Sequence, residues 1–329
     1  MSFMLRSTPV VSTSENSFKR LISYHIAVGF MVIVAIILQA ALGLRPLFYA
    51  LGQISLAFIF SVAIILAKNL IEKKPLLIYR DYMNSITYGL LAALLLPTES
   101  PFYIIISLIV MIHLIELFFK KLFRKNIMHP VLLGLLIVHL LFREYLPISE
   151  TMSNIFQEES LNFGRIRFLF GAYEGLTLGT SAFIVLGFLW IYLSVSKIIQ
   201  FRMSMWFIAN LLWIVLVLGL FSEASIWSLF TKLILGYSMF VLVYFVAEPT
   251  STPETREMMW FYPFIAAMLT AWFRLNFDIV EAALYAIVFA QFLSWILEQL
   301  QQRTSRLRSK LMLTSIFILW GLYLLYQFI

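Results

Sequence analysis

The sequence predicts an all-α, polytopic membrane protein: two inverted five-helix repeats plus one extra C-terminal transmembrane helix. Three observations carry that expectation. Hydrophobic residues make up 62% of the chain and charged residues only 12%, where a soluble domain carries roughly 25% charged residues. The apolar residues fall into eleven separable runs, and a span needs roughly 20 residues to cross the hydrocarbon of a bilayer. A proline-bearing polar stretch also occurs twice, at an offset of about 150 residues, which marks an internal repeat.

The runs are 24–43, 47–68, 83–97, 101–119, 129–146, 177–199, 203–222, 226–246, 257–273, 278–298 and 311–328. Residues 1–20 read as a disordered cytoplasmic tail and 21–300 as the ten-helix membrane domain, with repeats at about 21–147 and 176–300. The last helix lies in 301–329. Bases gather in alternate loops: Lys19 and Arg20, then Lys73 and Lys74, Lys120 and Lys121, Lys197 and Arg202, and Arg303 to Lys310. That bias puts the N-terminus in the cytoplasm and the C-terminus outside. The formal charge of +7 therefore reads as orientation and contact with anionic lipid, with no nucleic-acid partner.

The chain has no cysteine, which excludes disulfides, thiolate metal sites and cysteine-ligated iron–sulfur clusters. Redox chemistry would need an organic cofactor, or haem held by His25, His113, His129 or His139. There is no P-loop, no G-x-G-x-x-G after a strand and no H-E-x-x-H, so nucleotide-driven and hydrolytic chemistry have no support.

The densest polar interruption is 246–256, V-A-E-P-T-S-T-P-E-T-R. Pro249 and Pro253 fix φ and lack an amide hydrogen, so a helix should not run straight through. Composition alone favours a solvated loop here. The sharper reading is a re-entrant segment lining a cavity, because irregular backbone at membrane depth needs protein or water around it. Its first-half counterpart is L-L-L-P-T-E-S-P-F at 94–102, and M-H-P-V-L-L-G at 128–134 answers I-V-E-A-A-L-Y at 279–285. Five helices per half, an odd number, makes the second half inverted, with a site between broken helices.

Buried acids are the candidates for an ion path or cavity: Asp81, Glu116, Glu248 and Glu281. Each has a plainer role beside it. Asp81 opens a helix where negative charge suits the dipole. Glu116 shares a helix face with His113 and also with Lys120, so a local salt bridge accounts for it. Glu281 follows Asp278 and reads equally as first-turn charge.

Together these stretches resemble the family that includes RnfD of the Rnf electron-transport complex and NqrB of the sodium-translocating NADH:quinone reductase. Residues 81–97 resemble the family's D-G-S-A-x-V-T-G-L-L-L-A-L-x-L-P, and N-I-M-H-P-V-L-L-G at 126–134 resembles N-x-F-N-P-A-x-x-G. Thr180-Ser181 stands where the family has G-E-T-S, and 245–281 resembles the stretch beginning M-A-T-D-P-V-T-S-P. The resemblance implies a ten-helix, urea-channel-like fold in a bacterial inner membrane, working with the other components of an electron-transport complex. It implies a flavin as well, FMN carried through a phosphodiester on a Thr outside the cytoplasm, or riboflavin held non-covalently. Electron flow would then be coupled to Na+ or H+ translocation. The family's S-G-A-T is absent; Thr151 is the acceptor by position and Thr180 the alternative. Two other readings use the same scaffold: a stand-alone transporter or channel for a flavin or small solute, and a structural subunit without a cofactor.

Overall fold

The computed structural model describes residues 14–73, 75, 79–98, 100–123, 126–142, 145, 177–180, 182–221, 226–234, 237–248, 251–253, 255, 257–277, 279 and 281–303. The expected C-terminal span 311–328, the long polar loop 147–175 and Glu99 lie outside them. The described chain is all-helical. The first half holds α1 (Ser14–Leu42), α2 (Leu44–Ile71), α3 (Tyr79–Leu95), α4 (Phe102–Phe123) and α5 (Pro130–Leu141). The second holds α6 (Phe183–Val195), α7 (Phe201–Phe221), α8 (Ile226–Ile234), α9 (Tyr237–Tyr244), α10 (Met258–Asn276) and α11 (Ala282–Arg303). Since α1 starts at Ser14, the expected disordered tail 1–20 is helical in its last part.

The helices turn large apolar side chains outward and small or polar ones inward. On α2 the buried row is Ala50, Gln53, Ala57, Ser61, Ile65 and Asn69, while Phe48, Leu51, Phe58, Ile59 and Leu66 are exposed. On α1, Ile26, Phe30, Ile33 and Ile37 form an exposed stripe opposite Ala27, Met31 and Ala35. Water would reject this arrangement. Lipid accepts it, because small residues let helix backbones approach closely and apolar surface costs nothing outside. Six described helices are long and apolar enough to cross a membrane, or seven if α8 and α9 form one bent span.

Three expectations change in detail. The run 226–246 is two helices bent by 48° between Ile234 and Tyr237, so the eighth span is itself broken. The runs 129–146 and 177–199 yield helices of only 12 and 13 residues. The first ends early, at Leu141, and the second starts late, at Phe183, after a non-helical approach. His129 precedes Pro130 with extended φ −67°, ψ 122°, as a residue before proline prefers.

The halves share part of a packing pattern, although α1 packs on α2 and, among the described residues, no comparable contact joins α6 and α7. In the first, α3 packs on α1, α2, α4 and α5, with α2 also on α4 and α4 on α5. In the second, α9 packs on α6, α7 and α11, α8 on α7 and α10, α7 on α10, and α10 on α11. The halves meet at α1–α6 and α5–α11. All eight residues of α9 are buried, as befits a helix apolar all round. A reciprocal latch ties α9 to the first half: Tyr24 Oη donates to the Tyr244 carbonyl at 3.0 Å and Tyr244 Oη to the Ala27 carbonyl at 3.2 Å.

The α2–α3 contact depends on Gly89. A Cβ there would sit 2.1 Å from Ser61 Oγ and 2.9 Å from the Ala57 carbonyl oxygen. Gly89→Ala is expected to cost ~1–3 kcal/mol of stability, read as a lower melting temperature in detergent. Adding Ser61→Gly should return part of it, because the two positions share one contact.

Candidate functional site

The polar stretch after α9 is not a solvated loop. Val246, Ala247, Glu248, Ser251 and Pro253 are all buried, Glu248 at 7% exposure. Phe245 and Val246 donate backward to the Val241 carbonyl at 2.9 Å, which closes the helix as the prolines require. The burial of these residues departs from the solvated loop that composition favours.

This segment meets the first half at His129. His129 N donates to Gln291 Oε1 at 2.9 Å, Gln291 Nε2 to Ser251 Oγ at 3.1 Å, and Ser251 Oγ to Glu248 Oε2 at 3.2 Å. His129 Nε2 lies 3.8 Å from the same carboxylate oxygen, and His129 Nδ1 accepts from Val131 N at 3.3 Å, capping α5. Tyr88 and Phe245 stand edge-on to the imidazole at 5.4 and 4.7 Å. Among the described residues His129 Nε2 is buried without a hydrogen-bond partner, and the buried Tyr262 hydroxyl lies beside Gln291 and Glu248. A buried polar atom is costly unless something meets it.

Glu116 belongs to the same side. Its carboxylate is held by Lys120 and lies 3.6 Å from His113 Nδ1, and it is within electrostatic range of His129. The local salt bridge with Lys120 is present, and the acid is buried as well. Asp81 sits half-buried in the first turn of α3, where its charge suits the helix dipole.

A second cluster gathers around Glu281. This acid is buried just before α11, and it lies with Tyr285 and Arg274 within electrostatic range of the Tyr237 hydroxyl. That hydroxyl reaches the Leu95 carbonyl at 3.4 Å. His139 Nδ1 and the Tyr285 hydroxyl are 2.8 Å apart. The first-half proline loop closes on this side: Pro97 pairs with Thr177 in an isolated antiparallel bridge, and Gly179 N donates to the Leu94 carbonyl at 2.7 Å. Gln53 Nε2 donates to the carbonyls of Pro97 and Thr98 at 2.8 and 3.1 Å. Each proline-bearing segment thus touches the other half of the chain.

Of the two candidate flavin acceptors, Thr151 lies outside the described residues. Thr180 is buried, its hydroxyl 2.6 Å from that of Thr177, so a phosphodiester on Thr180 would have to displace this turn. Gln291, Gln53, Tyr262 and Arg274 were not singled out from sequence. Gln291 and Gln53 carry no charge to draw attention, and Arg274 read as a loop base. A signal existed for the two amides, each lying inside an apolar run. Among the described residues no three His, Asp or Glu side chains converge on a metal site.

Apolar exteriors on long helices and polar clusters joining the two halves define a multi-pass membrane protein. The chain belongs to the NQR2, RnfD, RnfE family, whose sequence model matches residues 4–306. It is a membrane subunit of the Rnf/Nqr electron-transport type. Among curated proteins none matches it in sequence.

Proposed function

We propose that this protein holds a flavin between its halves and couples the electrons it passes to movement of Na+ or H+, together with the other components of its complex. The observation that carries the reading is the junction of His129 and Tyr262 with Glu248, Ser251 and Gln291. It gathers buried donors and acceptors beside aromatic rings. The pyrimidine edge of an isoalloxazine, with its alternating carbonyls and N–H, complements such a set. A flavin bound there would supply one-electron chemistry; the protein's part is to orient it, exclude water and hold a counter-charge at Glu248. Burial in lipid makes a carboxylate that must change its charge state a natural ion partner for that electron. The part of the packing pattern that the halves share supports an inverted-repeat architecture. The distribution of bases supports a cytoplasmic N-terminus in a bacterial inner membrane.

The test is flavin content after gentle extraction. Bound FMN or riboflavin is expected in the wild type, reduced about tenfold or more in Gln291→Ala, since truncation unpairs both His129 N and Ser251. Flavin fluorescence surviving denaturation and lost in Thr151→Ala would mark covalent attachment. A protein that retains no flavin and moves a small solute into liposomes by itself would replace this reading with the transporter one.

A further inference from the structure

We propose that the outward face of α7 docks a second copy of this chain, paired through Asn210 and Trp213 at the bilayer centre. The inference is independent of the redox reading. Phe207, Leu211, Ile214, Val215 and Leu218 turn into the protein. Trp206, Ala209, Trp213, Leu216 and Leu220 line the opposite, exposed side, at the alternating three- and four-residue spacing of one helix face. Asn210 lies beside them, partly exposed. The helix has 21 residues, Phe201–Phe221, so about 15 Å of helix flanks Asn210 on either side. That places its amide near the middle of the hydrocarbon. Lipid tails offer an amide no hydrogen bond there, and an indole prefers the headgroup level. Two such side chains one turn apart mark a surface that protein covers.

The two groups complement a copy of themselves. Asn210 Nδ2 donates to the Trp206 carbonyl at 2.6 Å. A backbone carbonyl only accepts, so the amide is oriented, and Oδ1 is left as an acceptor that no described residue meets. Trp213 is 65% exposed, and among the described residues its indole N–H has no acceptor. The face thus carries one spare acceptor and one spare donor, a set that a two-fold pair satisfies by exchange. Both copies cross the membrane in the same direction, so their α7 helices run parallel about an axis along the membrane normal. A helical side chain leans back over the turn before its own Cα, which brings the Trp213 indole towards the level of Asn210. The N–H of each copy then meets Asn210 Oδ1 of the other. Ala209, exposed between Trp206 and Trp213, leaves room for the close approach that helix pairs in lipid need.

The test uses the full-length protein in vesicles of phosphatidylethanolamine and phosphatidylglycerol. The chain has no cysteine, so single-cysteine variants report without background. Ala209→Cys is expected to give a disulfide-linked dimer on mild oxidation. Phe188→Cys, at a 69% exposed position of α6, should not. Energy transfer between labelled copies, followed as added lipid dilutes the protein, gives the association constant. Asn210→Leu should weaken association about tenfold or more, since each dimer loses two hydrogen bonds in hydrocarbon. Trp213→Phe keeps a ring, removes the N–H and should weaken it in the same direction, which separates hydrogen bonding from packing. A wild type that stays monomeric, whether alone or with a different membrane polypeptide bound, overturns the proposal. So does a dimer indifferent to both substitutions. Flavin content of the same samples reports on the redox reading separately, because Asn210 and Trp213 lie on the exterior of the protein.

Discussion

Arg274→Met is expected to cost ~3–5 kcal/mol, the usual penalty for removing one partner of a buried charged network. Arg274 is 5% exposed. Its Nε donates to the Lys232 carbonyl at 3.0 Å and its Nη1 to the Ile279 carbonyl at 2.9 Å. The first bond serves the break between α8 and α9. A helix that ends inside a protein leaves carbonyls without intrahelical partners, and a cation placed there also suits the negative end of the helix dipole. The second bond holds the chain leading to Glu281. Methionine would abandon both carbonyls together and remove the positive charge beside that acid. The measurement is thermal denaturation in detergent, monitored by loss of the monodisperse species. Arg274→Lys should recover only part of the loss, since an ammonium is not a planar fork able to span the two carbonyls.

Gly179→Ala is expected to be nearly as damaging, at ~3 kcal/mol. The added Cβ would stand 2.4 Å from a Phe240 ring carbon and 2.9 Å from the Leu94 carbonyl oxygen. The ring can move, at the expense of α9, but the carbonyl is backbone and already receives Gly179 N. The turn that joins the halves through Pro97 and Thr177 should therefore open. Melting temperature reports the loss, and Phe240→Leu in the same protein should restore only a fraction because the backbone clash persists.

Much of this was legible in the chain before folding. Pro249 and Pro253 announced that α9 could not continue, and Pro130 announced where α5 begins, because proline's restrictions are local and need no partner. Glu116, His113 and Lys120 were legible as a group for the same reason, since spacing on one helix fixes who faces whom. The bend between Ile234 and Tyr237 was not, lying in an apolar run with only one glycine. Glu248 could not be told from a solvated acid, because nothing local distinguishes a carboxylate in water from one facing Ser251 and His129.

The sequence by itself determined that the chain lives in lipid, roughly where its helices run and where they must stop. Those properties follow from side-chain character and local backbone limits, summed along the chain. Only the tertiary structure decided which polar residues meet. His129 and Gln291 are 162 positions apart, and their bond exists because α5 packs on α11. Such pairings are set by how whole helices fit against one another, which no single stretch of the chain encodes.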